Sequence, residues 1–255
     1  MTYEYLALEQ AGGVARLVLN RPPLNVLHIP MMRELSAALD EVAGGSGVKV
    51  LVLTGAGRAF CAGVDVADHT VDRVHEMLEV FHSAIRRVMS LEIPVVAAVN
   101  GAALGGGWEL AMACDMVVAR EDAKIGQPEI QLAVFPPVAA ALMPRLIGWP
   151  RALELILTGR VITAAEGQSL GLINQALPAE GFSQGVDQFA SRFTVLSRPV
   201  VQLAKRAVRE GLELGAQAAL ERAEALYLNE LMQLEDPHEG LAAFIEKRKP
   251  VWKNR

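Results

Sequence analysis

The chain has 255 residues, 52% of them hydrophobic and 21% charged, and carries a formal net charge of −5. A chain of this length buries roughly 70–75% of its unfolded surface, so its core needs neither disulfides nor a structural metal, and the composition is that of a globular protein. The acidic balance gives no long-range attraction to nucleic acid or to an anionic membrane; no apolar run approaches the ~18–20 residues that span a bilayer, and the first ten residues lack the cationic and apolar regions of a secretory leader. Cys61 and Cys114 stand far apart, outside any Cys-x-x-Cys pattern, which suits reduced thiols in a soluble cytoplasmic protein.

In chain order, residues 5–8 and 14–19 are expected as short strands joined by Gly12-Gly13, a dipeptide suited to a two-residue hairpin loop. Asn20-Arg21-Pro22-Pro23-Leu24-Asn25 is a rigid bend that stops the second strand. From Pro30 the pattern turns helical: Met32, Leu35, Leu39 and Val42 recur at intervals of three and four, until Gly44, Gly45 and Gly47 end the run. Residues 48–54 (VKVLVLT) form a β-branched run, the mark of a strand buried on both faces. Residues 55–65 (GAGRAFCAGVD) read as a glycine-rich loop, and 72–90 as a long amphipathic helix with Val74, Leu78, Phe81, Ile85 and Val88 on one face. Another buried strand is expected over 93–99.

Next comes the stretch 103–129, in which Gly105, Gly106 and Gly107 precede an apolar helix with Glu109 one turn in, and a strand-like segment leads to Glu129. Pro136-Pro137 then opens a helix to about residue 147, residues 149–157 make another, and 171–177 a last strand. From residue 182 only helical patterning remains. Alternating strands, glycine loops and helices predict an α/β architecture with strand–helix crossovers. The expected division is residues 1–195, an α/β core carrying the site, and residues 196–255, a helical module that packs on its own core or on a neighbouring subunit.

Several motifs carry less than they promise. Gly55-Ala-Gly57-Arg-Ala-Phe60 begins like a dinucleotide fingerprint, but Phe60 stands where the third glycine belongs and no helix follows at once. Gly167-Gln-Ser169-Leu-Gly171 matches G-x-S-x-G, yet the helix precedes the serine and the strand follows it, the reverse of a nucleophile elbow. His75 and His82 lie two helical turns apart and the other histidines are scattered, so no metal site is expected. Glu109 has two readings, for an acid in the first turn of a helix is ordinarily just a favourable partner of the helix dipole. In so apolar a helix it is expected to be buried, burial raises a carboxyl pKa toward general acid–base use, and the N–H groups at the Gly106-Gly107 helix start favour a developing negative charge.

Taken together, Asn20-Arg21-Pro22, Leu53-Thr-Gly55, Ala59-Phe-Cys-Ala62-Gly-Val-Asp65, Ile93-Pro94, Ala98-Val-Asn-Gly101, Ala103-Leu-Gly-Gly-Gly-Trp-Glu109, Cys114-Asp115 and Gly126-Gln-Pro-Glu129 resemble the crotonase (enoyl-CoA hydratase/isomerase) superfamily over nearly the whole chain. The resemblance implies a crotonase-like spiral of ββα units, acyl-CoA thioester substrates with no separate cofactor, and a C-terminal helical module that builds homotrimers or homohexamers. It further implies Glu109 and Glu129 as the catalytic pair of a hydro-lyase. The N–H groups of Ala62 and Gly106 would form the oxyanion hole, and Ala62, Gly63, Val64 and Asp65 would line the thioester channel. One departure is informative: where straight-chain hydratases carry a glycine-rich segment, this chain has Phe135-Pro136-Pro137, and Trp108 stands beside Glu109. With Pro22-Pro-Leu-Asn-Val-Leu27, these stretches look like the cyclohexa-1,5-diene-1-carbonyl-CoA hydratases of anaerobic benzoyl-CoA degradation. On that reading Trp108, Phe135 and Pro136 would pack a flat ring.

Overall fold

The computed structural model describes residues 2–255. The chain opens on an antiparallel hairpin, β1 (Leu6–Ala11) and β2 (Val14–Leu19), in register from Leu6 opposite Leu19 to Ala11 opposite Val14. Helix α1 (Ile29–Gly44) buries Met32, Leu35, Leu39 and Val42, the positions its spacing predicts, because residues three and four apart share one helix face.

Three ββα coils follow. The first is β3 (Val50–Gly55), β4 (Ala59–Cys61) and α2 (Val74–Ser90); the second is β5 (Val95–Val99), β6 (Ala102–Leu104) and α3 (Gly106–Met112). The third is β7 (Met116–Arg120), β8 (Lys124–Gly126) and α4 (Pro137–Ile147), with a 3-10 turn over Pro128–Leu132 between its strands and its helix. Helix α5 (Trp149–Thr158), β9 (Val161–Thr163), α6 (Ala164–Leu170), β10 (Gln175–Leu177) and α7 (Phe182–Thr194) come next. The first strand of every coil joins a six-stranded sheet, ordered β1-β2-β3-β5-β7-β10, and the second joins a four-stranded sheet, ordered β4-β6-β8-β9. Equivalent strands of successive coils pair in parallel. Each coil thus adds one strand to each sheet, and the chain advances as a spiral. The larger sheet is buried at its centre, with every residue of β5 inside, which explains its continuous run of valine and alanine.

Two expectations need revision. The loop read over 55–65 contains β4, and β6 was hidden in the approach to the triple glycine; strands of three residues are too short to show a period. The last strand covers only Gln175–Leu177, because Gly171 caps α6 and the chain turns before pairing with β7. Ser169 sits inside α6 with its hydroxyl donating to the Glu166 carbonyl at 2.8 Å, so it forms no nucleophile elbow.

The chain forms two compact units, residues up to 91 with 95–190, and residues 92–94 with 191–255. The first holds both sheets. The second carries α8 (Arg198–Gly211), α9 (Ala216–Asn229) and α10 (Glu235–Ile245). Within it the buried Asp236 accepts the N–H groups of Lys253 (2.7 Å) and Asn254 (2.9 Å), and the Trp252 indole donates to the Val195 carbonyl (2.7 Å), so the C-terminal tail is pinned along α10. Among the described residues no helix is long and apolar enough to cross a membrane.

Candidate active site

The site is built where consecutive coils abut. Gly105 turns the chain from β6 into α3 with φ 51°, its N–H bonded to the Gly126 carbonyl of β8 at 2.9 Å. A side chain is excluded there twice over, by the left-handed φ and by Glu129, whose Oε1 would lie 2.8 Å from an added Cβ. The same contact places the Glu129 carboxylate directly over the glycine turn.

Glu109 is 3% exposed, on a helix whose seven residues are all buried. Its Oε1 accepts the N–H of Ala139 at 2.8 Å, and the Val138 N–H also serves the carboxylate. Both donors belong to the first turn of α4, where backbone N–H groups lack partners within the helix. Burial pushes the Glu109 carboxyl up to about 7, the α4 donors oppose that rise, and the charge of Glu129 adds to it. Glu129 is half-buried, and burial likewise pushes it up to about 7. Two carboxyls near neutrality, close enough to feel each other, can hold a proton and accept one at the same pH.

Sequence reasoning missed what supports them. Gln127, 1% exposed, turns its amide nitrogen to within 3.0 Å of both Glu129 oxygens, the orientation that satisfies both groups. The only signal was its place two residues before a glutamate. This donor stabilises the Glu129 anion and so holds its pKa down. In Gln127→Leu the Glu129 carboxyl is expected to titrate higher, moving the alkaline limb of the pH–rate profile upward; an unmoved limb in steady-state assays would show that the amide does not control Glu129.

The oxyanion-hole expectation for Ala62 is corrected. Its N–H already donates to the Leu24 carbonyl at 3.0 Å. Residues 24–27 and 62–65 run as a short parallel ladder, in which Leu27 donates to Gly63 O (2.9 Å), Asp65 donates to Leu27 O (2.7 Å), and Leu27 bridges Val64. In a parallel bridge the central residue's own N–H faces away from the partner, so the Val64 N–H is left out of this ladder. It looks toward α3: a Cβ on Gly106 would meet Val64 Cγ2 at 2.6 Å and Val64 N at 3.5 Å. Gly106 is the first residue of α3, and its N–H has no acceptor within the helix.

The remaining expected site residues divide. Gly63 shapes the turn before Val64. Asp65 caps the following 3-10 turn through Ala67 N (3.2 Å) and meets Arg21 at 3.4 Å, a structural engagement of its carboxylate. Trp108 is 1% exposed, as buried as Glu109 itself. Adjacent helical residues point about 100° apart, so standing beside Glu109 in sequence does not place it beside Glu109 in space. Phe135 and Pro136 differ in exposure. At 64% exposed Phe135 lies on the surface after a left-handed turn at Ala133 (φ 59°), while Pro136 is the buried residue of the pair, leading directly into α4 and the donors to Glu109.

Residues 9–255 match the Enoyl-CoA hydratase/isomerase family. A probable enoyl-CoA hydratase of Rhizobium meliloti is 40% identical over the full length of both chains. A cyclohexa-1,5-dienecarbonyl-CoA hydratase of Thauera aromatica is 37% identical, covering 97% of this chain and 96% of its own. The crystal structure of an enoyl-CoA hydratase from Bacillus anthracis superposes with a TM-score of 0.95 at 34% identity, over 99% of this chain and 100% of its own. A spiral of ββα coils with this site, matched at this level over its length, belongs to the enoyl-CoA hydratase/isomerase (crotonase) family.

Proposed function

We propose that this family member, an acyl-CoA hydratase, adds water to a cyclic dienoyl-CoA, taking cyclohexa-1,5-diene-1-carbonyl-CoA to 6-hydroxycyclohex-1-ene-1-carbonyl-CoA. The observation that carries the hydratase chemistry is the pair of carboxyls, Glu109 and Glu129, both near neutrality beside a glycine helix start. Glu109 holds two backbone donors from α4 that favour its anion, which fits it to take the proton from water. Glu129 then serves as the proton donor. Water's O–H breaks toward Glu109 as its oxygen bonds to the β-carbon, and the π electrons move onto the thioester oxygen, where the Val64 and Gly106 N–H groups receive the charge. As the dienolate collapses, one of its carbons takes the proton from Glu129, leaving one ring double bond. Transfer of the second proton from Glu109 to Glu129, directly or through water, resets the pair. The balance needs no cofactor, since CoA is part of the substrate.

The cyclic substrate is supported by the likeness to the Thauera aromatica protein and by the Pro136-Pro137 turn that stands in place of a glycine-rich segment. The Rhizobium meliloti relative, 40% identical, favours a simpler enoyl-CoA as the second reading. Comparison of kcat/KM on the cyclic dienoyl-CoA and on crotonyl-CoA decides between them. A preference for the ring of at least about 10-fold is expected, the scale on which pocket shape discriminates; faster turnover of crotonyl-CoA overturns the cyclic assignment.

We also propose a homotrimer or a pair of trimers. No residue of α8 is buried, and Val208, Leu212, Phe244 and Ile245 expose apolar side chains that suit a second copy. Sedimentation equilibrium is expected to give three or six times 27.4 kDa, and a 27.4 kDa species would rule this out.

A further inference from the structure

We infer that Asn25 is a positioning residue for the oxyanion hole: its side chain locks the ladder that aims the Val64 N–H at the thioester carbonyl. The inference rests on the Val64–Gly106 assignment proposed above. Asn25 is fully buried and sits at φ 54°, a region where asparagine is tolerated better than most side chains. Its Nδ2 donates to the carbonyls of Ala56 (2.9 Å), Ala59 (2.9 Å) and Phe60 (3.2 Å), and its Oδ1 accepts the Arg21 N–H (3.0 Å). One amide therefore ties the bend at residues 20–25 to the loop that feeds β4.

The tie acts on the site through backbone alone. Leu24 and Leu27 flank Asn25, and they are the residues that bond Ala62, Gly63 and Asp65. Those bonds set the peptide plane on either side of Val64, hence the direction of its N–H. No atom of Asn25 need approach the substrate. Asn100 holds the same loop from the other side, donating to Gly57 O (3.1 Å) and Ala59 O (3.3 Å). Loss of Asn25 should therefore loosen the link to residues 24–27 without releasing the loop from the sheet.

Two variants separate the effects. Asn25→Asp keeps the acceptor for Arg21 and the side-chain shape but loses the amide N–H groups that reach the three carbonyls; Asn25→Gly removes the side chain where glycine accepts the backbone conformation without strain. Both are expected to lower kcat by about 10²-fold, the lower end of the cost of an oxyanion donor, while leaving KM within a few-fold. A bound aryl-conjugated enoyl-CoA, whose absorbance shifts to the red when its carbonyl is polarised, should lose most of that shift. Leu39→Ala, a core truncation in α1, serves as the stability control and should keep both shift and rate at a comparable loss of Tm. The inference falls if the Asn25 variants keep the red shift while Gly106→Ala abolishes it, or if Leu39→Ala reproduces the Asn25 losses. A red shift that survives Gly106→Ala as well would instead overturn the oxyanion-hole assignment itself.

Discussion

Glu109→Gln and Glu129→Gln are each expected to lower kcat by about 10²–10⁴-fold, the range in which a positioned acid or base contributes, with KM for the acyl-CoA little changed. Both side chains keep their size, so loss of proton transfer is isolated from loss of packing. The pH dependence distinguishes the two roles. Glu109 must be ionised to accept water's proton, and Glu129 must be protonated to donate, so with both near 7 the wild-type kcat/KM is expected to be a bell centred near neutrality. Glu109→Gln should flatten the acidic limb and Glu129→Gln the alkaline one. Near wild-type rates in either variant would sink the mechanism. Stability should move the other way. A carboxyl titrating near 7 instead of 4.5 is favoured in its protonated form by the fold, so its contribution is full below pH 4.5 and is lost as pH rises through 7. At alkaline pH this amounts to roughly 3 kcal/mol for Glu109, and urea unfolding should find Glu109→Gln more stable than wild type there, with little difference at pH 5.

Gly106→Ala is expected to cost about 10²–10³-fold in kcat, the scale of one lost oxyanion donor, while the protein stays folded. The added Cβ would lie 2.6 Å from Val64 Cγ2 and 3.4 Å from Phe81 Cζ. These are side-chain tips that can yield by rotation, so the strain falls on the Val64 loop and on the space a carbonyl oxygen would occupy. Gly107 makes the contrast. A Cβ there would meet the Cys61 carbonyl oxygen at 2.2 Å, a backbone atom of β4 that cannot step aside. Circular dichroism and steady-state kinetics of Gly106→Ala test the point; the variant keeps its N–H, so an undiminished kcat would show that the carbonyl oxygen does not sit in the space its Cβ enters between Gly106 and Val64.

Much of this was legible in the residues, and what was not has physical reasons. Glu109 could be read only in part from its helix, because an acid in a first turn is ordinarily a partner of the helix dipole, and it took the apolar surroundings and the family resemblance to mark it as functional. The helices over 29–44, 74–90 and 137–147 followed from spacing and proline placement. Ala62 misled because motif position does not reveal which N–H of a loop is already bonded. That depends on the pairing of residues 24–27 with 62–65, more than thirty positions apart in sequence. The burial of Trp108 and the exposure of Phe135 were not legible either, because adjacency along the chain says little about direction. Gln127 and the α4 donors were invisible for the same reason: their roles come from contacts that only the spiral creates.

The spiral also draws the site from all three of its coils. The N–H groups proposed to hold the carbonyl, those of Val64 and Gly106, come from the first and second coils, after β4 and β6; Glu109 stands on α3 of the second coil, and Gln127, Glu129, Val138 and Ala139 come from the third. Such an arrangement marks residues 127–139, which include neither Val64 nor Gly106, as the place to begin redesigning this enzyme for another substrate.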